Sequence, residues 1–173
     1  DNVATGHKAG TNITTGDKNV MIGSMAGDGF DAGGENVAIG WNAMTTAGGG
    51  DSKNVAVGAS ALATMNWNGD NYNTAVGYNA GTGVTTGTGN TISGSLAADA
   101  LTTGLNNVVI GKHALGLADG GESENICVGN LTMSSCDEGG SDTIDNNIAI
   151  GTSALTGGAA TIQNCIAIGF EAL

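Results

Sequence analysis

The chain has no proline and no arginine, and its 173 residues include only four lysines and 3% aromatic residues. So few basic side chains argue against nucleic-acid binding, which depends on Lys and Arg to displace counterions from phosphates. The same shortage argues against docking on an anionic membrane surface. No apolar run approaches the roughly 18 residues of a membrane-spanning helix, so we expect no membrane insertion.

The chain is instead rich in glycine, with 32 residues, and in one nine-residue motif that residues 36–44 (NVAIGWNAM) exemplify. Ten copies start 17 to 22 residues apart, at residues 2, 19, 36, 54, 73, 90, 107, 125, 147 and 165. A recurring period of this size is typical of stacked repeat architectures. The sequence therefore predicts one repeat array over residues 1–173. We expect it to be a fragment of a longer fibre, because it begins and ends within a repeat.

The composition of each motif position predicts how a repeat folds. Position 1 is Asn in nine copies, positions 2 and 4 are mostly Val or Ile, position 5 is always Gly, and position 8 is Ala in nine copies. Alternating β-branched residues indicate a strand, and the invariant Gly indicates a turn. We expect a second short strand after this turn, followed by a second Gly-bearing turn, which together form one coil of an all-β, parallel β-solenoid of about ten coils. The residues taken to define the repeat are Asn36, Gly40, Ala43, Asn54, Gly58, Asn73, Gly77, Asn107, Gly111, Asn147 and Gly151.

The Asn column at position 1 has two interpretations that the sequence leaves open. Stacked Asn side chains can hydrogen-bond to one another from coil to coil, as in cross-strand ladders. They can also bond to the backbone of their own turn.

The third position of the motif is never polar in the ten copies. Because positions 2 and 4 carry the larger side chains, we expect them to face the interior of the coil. Position 3 would then point outward, and an apolar outward position indicates burial against another chain. The sequence thus predicts an oligomer interface formed by Ala38, Ala56, Ala75, Val109 and Ala149.

The string Asn-x-Ala-Ile/Val-Gly-x-x-Ala, at residues 36–43 and 147–154, resembles the head repeat of YadA-like trimeric autotransporter adhesins. Residues 73–87, NTAVGYNAGTGVTTG, also resemble a repeat of phage tail fibres. The resemblance implies a left-handed parallel β-roll in which three chains stand side by side, and a role in surface adhesion. The connections are longer here than in the typical adhesin repeat, and no coiled-coil stalk accompanies them.

Residues that could carry catalysis are sparse. His7 and His113 are the only histidines, lie in distant repeats, and have no nucleophile near them in the sequence. The glycine pairs fit solenoid turns and not a phosphate-binding loop. We therefore expect that the protein is not an enzyme and has no cofactor.

Two groups of residues suggest ligand binding as an alternative. Acidic connections could supply the six to eight oxygen ligands of calcium, and the candidates are Asp28, Asp31, Glu35, Asp137 and Asp142. Three aromatic residues share position 6, just after the invariant Gly, and could contact a cell-surface glycan or a protein receptor. These are Trp41, Tyr78 and Phe170.

The net charge of −12 predicts a well-solvated, self-repelling surface. Together with the repeats and the resemblance, it leads to one expected function. The chain is expected to be a structural or adhesive segment of a homotrimeric extracellular fibre, on a virion surface or a cell surface, that provides rigid reach and display. A calcium-dependent or glycan-binding solenoid is the alternative.

Overall fold

The computed structural model describes residues 1–46, 48–118, 120–136, 144–157 and 162–173. All regular secondary structure in these ranges is β-strand, and none of it is helical. The described residues accordingly include no helix that could cross a membrane.

Each repeat contributes one three-residue strand at positions 2–4, where β-branched side chains suit an extended, pleated backbone. Two shorter strands, β9 and β11, lie just before the motifs of the last two repeats. The strands are β1 (Val3–Thr5), β2 (Val20–Ile22), β3 (Val37–Ile39), β4 (Val55–Val57), β5 (Thr74–Val76), β6 (Thr91–Ser93), β7 (Val108–Ile110), β8 (Ile126–Val128), β9 (Ile144–Asp145), β10 (Ile148–Ile150), β11 (Ile162–Gln163) and β12 (Ile166–Ile168).

The ten motif strands form one parallel sheet in chain order, from β1 to β8 and on to β10 and β12. The register keeps equal motif positions together, so that Ala38 pairs with Ala56 and Ala56 with Ala75. The strands stack as a β-solenoid of about eight turns, with neighbouring strands about 4.8 Å apart. The predicted fold class, an all-β parallel solenoid, is confirmed.

The corner after each strand needs glycine for two reasons. The φ angle of the position 5 glycine lies between 131° and 143° in all ten repeats, a region that is essentially restricted to glycine. A Cβ atom on Gly58 would also lie only 2.2 Å from the carbonyl oxygen of Gly77 in the next repeat. The invariant glycine is therefore required both by conformation and by the close stacking of coils.

The predicted second strand after this corner is wrong. Positions 6 to 9 form turns, because positions 7 and 9 adopt the left-handed conformation, as at Ser60 (φ 55°) and Leu62 (φ 48°). This conformation costs a non-glycine residue roughly 1–2 kcal/mol. Hydrogen bonds between coils offset that cost, for example from Ser60 N to Trp41 O at 2.8 Å and from Leu62 N to Ala80 O at 3.1 Å.

The predicted direction of the strand faces is also wrong. Position 3 points into the coil of its own chain, whereas positions 2 and 4 point outward. The five residues assigned to an oligomer interface are completely buried within the single chain and so cannot reach a partner. They are Ala38, Ala56, Ala75, Val109 and Ala149. The physical reason is the buried Asn at position 1, because positions 1 and 3 share one face of a strand.

The interior is narrow and is filled by complementary sizes at positions 3 and 9. In the fourth repeat, Ala56 at position 3 is paired with Leu62 at position 9, and both are fully buried. In the second repeat, Met21 takes position 3 and Gly27 takes position 9, where a Cβ atom would lie 2.7 Å from Met21 Cγ. In these two repeats a large side chain in one position is accompanied by a small one in the other, whereas Val109 and Leu115 of the seventh repeat are both fully buried.

A third apolar column at position 12 completes the core, and the sequence-based prediction missed it. Its members recur at the repeat period within the variable connections, which provided a signal that could have been found. The buried residues of this column are Phe30, Met65, Val84, Leu101, Ala118 and Cys136.

Candidate functional site

The outer face of the ten-stranded sheet is the candidate functional surface. It is formed by positions 2 and 4, of which 16 of 20 are Val or Ile and the others Thr or Ser. In the single chain these side chains are exposed or half-buried, with Ile22 41%, Val76 42% and Ile110 42% exposed. Parallel sheets are normally covered on both faces, so an uncovered apolar face of this length indicates a contact surface.

A ladder of buried Asn side chains fixes the direction of this face. Of the two interactions that the sequence left open, the bond to the residue's own turn is made by Asn54, whose Nδ2 donates to the carbonyl oxygen of Ser52 at 2.9 Å, and the bonds between coils are shown by Asn36. Its main-chain N–H and its Nδ2 donate to Oδ1 of Asn19, at 2.9 and 3.1 Å. The same Nδ2 donates to the carbonyl oxygen of Asp51 at 2.8 Å, in the turn that precedes the next Asn. The ladder ends at Cys165, whose N–H donates to Asn147 Oδ1 at 2.9 Å but whose side chain adds no amide.

The three aromatic residues at position 6 are exposed, Trp41 by 52%, Tyr78 by 55% and Phe170 by 71%. Trp41 and Tyr78 are two repeats apart in one column, with Ala59 between them. Main-chain bonds tie this column together, since Trp41 O accepts from Ser60 N and Ala59 O accepts from Asn79 N. Phe170 lies five repeats beyond Tyr78, so the three do not form a continuous row.

The acidic residues proposed for calcium are engaged with neighbouring side chains where the structure describes them. Asp31 accepts a hydrogen bond from the hydroxyl of Thr14, and Glu35 forms an ion pair with Lys18 at 3.1 Å. One oxygen of Asp28 is buried without a hydrogen-bond partner. Asp137 and Asp142 lie outside the described residues. Within the described ranges, no three His, Cys, Asp or Glu side chains are grouped as a metal would require.

Two acidic residues lie inside the solenoid, although the charge pattern predicted solvated carboxylates. Asp51 is completely buried and Glu122 is 2% exposed. Asp51 Oδ1 accepts hydrogen bonds from the main-chain N–H groups of Trp67 (2.9 Å) and Asn68 (3.1 Å), while Oδ2 is buried without a partner. Burial raises the pKa of Asp51, and the main-chain donors oppose that shift. Each residue lies three positions before a motif, and nothing else in the sequence indicates that its side chain is buried.

The other reactive side chains are dispersed. Cys127 and Cys136 are buried as free thiols, and burial raises the pKa of both, that of Cys136 to about 11. Thiols with a raised pKa are poor nucleophiles at neutral pH. On the surface, Lys53 pairs with Asp70 and lies 5.2 Å above the ring of Tyr72. The Asp70 carboxylate raises the pKa of Lys53, as expected for a structural ion pair.

The geometry therefore presents one extended apolar face, a buried amide ladder behind it, and exposed aromatic residues at its edge. No family model matches the chain, and neither a curated protein nor a solved structure is similar to it.

Proposed function

We propose that the chain is a structural segment of an extracellular fibre, on a virion or a cell surface, in which three copies stand side by side. The observation that carries the proposal is the uncovered outer face of Val and Ile along the sheet. A fibre segment of this kind provides rigid reach, because stacked coils contact only their neighbours and form one continuous rod.

The partner that best fits this face is another copy of the same chain. Its rows of side chains repeat about every 4.8 Å over ten strands, roughly 43 Å in length. A second solenoid of the same pitch can match that spacing along the whole length. The face carries no charged side chain, so two chains of net charge −12 can meet there without bringing like charges into direct contact.

Three copies and a left-handed coil are proposed because of the resemblance to trimeric adhesin heads, and ten coils because the motif occurs ten times. Together, three faces would shield one another around a common axis. The exposed Trp41 and Tyr78 would remain near the edge of the face, where they are available to a receptor.

The test is the mass of the assembly in solution for the wild-type chain and for the double variant Val57→Asp/Val76→Asp. We expect sedimentation equilibrium to give three times the chain mass of 16.8 kDa for the wild type. The variant places two carboxylates on the outer face and should be a monomer with an unchanged circular dichroism spectrum. A wild-type chain that stays a folded monomer at micromolar concentration would refute the proposal.

A further inference from the structure

A notch interrupts the surface of the solenoid in the sixth to eighth repeats. It lies on the column formed by position 10, in which Asp99, Gly116 and Ser134 are consecutive members. The cavity has a volume of about 370 Å³, near the lower end of the range for small-molecule sites. The residues that line it are Asp99, His113, Gly116, Leu117, Leu131, Ser134 and Ser135.

A missing side chain creates this notch. Gly116 is the only glycine at position 10, and its backbone is not in the left-handed region that would require glycine. A Cβ atom there would lie 3.5 Å from Asp99 Oδ1 and 3.2 Å from the carbonyl oxygen of His113. A larger residue would therefore fit the fold with a small adjustment and would project into the notch beside the Asp99 carboxylate. The space is a local feature of this repeat and not a requirement of the coil.

Four polar side chains line the notch, and they make no hydrogen bond with another described residue. Asp99 and His113 are half-buried, and burial raises the pKa of Asp99, while a hydrogen bond from its own main-chain N–H and the nearby His113 oppose that shift. Ser134 and Ser135 add two hydroxyl groups from the next repeat. Among the described residues, none of these four side chains forms a hydrogen bond with another residue. Their donors and acceptors are available to a ligand.

The remaining wall of the notch is apolar. Leu117 is 57% exposed and Leu131 is 39% exposed, which is unusual for leucines on an otherwise polar edge. Leu117 occupies position 11 of its repeat, and in the other repeats this position carries only Asn, Gly, Thr, Ala or Ser. The site thus combines hydrogen-bonding groups on one side with an apolar surface on the other.

We propose that this notch binds a neutral sugar. A carboxylate accepts hydrogen bonds from sugar hydroxyls, whereas an imidazole and two serine hydroxyls can both donate and accept. The leucines would cover the apolar face of the sugar ring. A metal ion would need more ligands than the notch supplies, and the net charge of −12 disfavours an acidic sugar or a phosphate.

This site goes beyond the proposed structural role, because it lies within one chain and needs no partner copy. A monomeric chain would still bind the sugar if the notch is the site. Failure of the trimer proposal and failure of this one are therefore separate results.

The test follows NMR signals of the full chain during titration with the methyl glycosides of glucose, galactose and mannose and of N-acetylglucosamine. We expect at least one of them to shift the methyl signals of Leu117 and Leu131 and the ring signal of His113, with a dissociation constant in the millimolar range. Gly116→Thr, which restores a residue found at position 10 in other repeats, should weaken binding by at least about tenfold. Asp99→Asn should weaken it too, and provides a second variant if the first does not fold.

The matched control is Gly157→Thr, since a side chain at Gly157 meets no atom within 4 Å, and this variant should bind like the wild type. Calcium chloride, ammonium chloride and N-acetylneuraminic acid serve as competing probes. The proposal is overturned if no neutral glycoside gives saturable shifts, if Gly116→Thr binds as tightly as the wild type, or if only a competing probe moves these signals.

Discussion

Adjacent residues of strand β4 show how different the two faces of the sheet are. Ala56 is completely buried inside the coil, whereas the larger and more apolar Val57 points outward and is half-buried. Hydrophobicity alone would place them the other way round. Their directions are decided by Asn54, which precedes the strand, and by Gly58, which follows it.

Asn54 belongs inside because its amide is part of the ladder, with its N–H and Nδ2 bonded to Asn36 Oδ1 at 2.9 and 3.1 Å. Alternation along the strand then directs position 3 inward and positions 2 and 4 outward. Gly58 ends the strand at a corner that only glycine can form. The comparison teaches that in a thin solenoid a repeated polar side chain can set the register, and the apolar residues follow it.

The largest effect on stability is expected when an aspartate is placed on the inner face of the sheet instead of the outer face. Ala56→Asp places an unpaired carboxylate in the interior, which costs on the order of 3–5 kcal/mol and should prevent folding. Val57→Asp makes the same chemical change on the outer face and should leave the coil folded. Circular dichroism and thermal melting of the two variants measure the difference. Equal loss of structure in both would contradict the assignment of the faces.

The sequence was sufficient to predict the repeat, the strand at motif positions 2–4 and the parallel solenoid, because those depend on local pattern and period. It did not reveal the faces, since Ala at position 3 and Val or Ile at positions 2 and 4 are all apolar. The choice depended on hydrogen bonds between Asn residues one repeat apart, such as those of Asn36 and Asn54, which only stacking brings together.

A smaller effect is expected from removing one member of the Asn ladder. Asn90 accepts from the N–H and the Nδ2 of Asn107 at 3.0 Å and donates to the carbonyl oxygen of Gly104 at 2.8 Å. Asn90→Ala leaves the main-chain N–H of Asn107 and the carbonyl oxygen of Gly104 without their partner, whereas Nδ2 of Asn107 keeps its bond to the carbonyl oxygen of Glu122. The cost is about 1–3 kcal/mol for each unsatisfied group. Chemical denaturation should therefore show a clear loss of stability. The control is Asn130→Ala at an exposed position, where we expect a change within about 0.5 kcal/mol.

The sequence did not predict the notch or the buried acidic residues, because both depend on contacts between different repeats. Asp99, His113 and Ser134 belong to three different repeats, and the sequence does not show that the turns bring position 7 of one repeat beside position 10 of its neighbours. Gly116 is one of 32 glycines, and nothing in the sequence distinguishes its conformation from that of the turn glycines. Only its φ angle, outside the left-handed region, shows that the backbone did not require it.

The smallest effect concerns Asp51, one of the two acidic side chains that the interior holds among the described residues. Unlike an Asp introduced at residue 56, its carboxylate meets two main-chain N–H groups, of Trp67 and Asn68. Burial nevertheless raises its pKa above the ordinary value of 3.8. The folded chain then binds more protons than the unfolded chain in the window above that value, so this group makes stability fall as the pH rises through it.

Asp51→Asn removes the charge and keeps an oxygen that can accept from both N–H groups. We expect the variant to melt at a higher temperature than the wild type at neutral pH, and the difference to vanish below about pH 3, where Asp51 is protonated in both states. Asp17→Asn, at an exposed position, removes the same charge and separates burial from general repulsion among acidic groups. If Asp51→Asn followed this control at every pH, burial would not be the cause. If it were less stable at neutral pH, the two N–H groups would outweigh the desolvation of the carboxylate. The interior would then accept an acid wherever the backbone supplies donors, and the contrast between the faces would rest on hydrogen bonding instead of polarity.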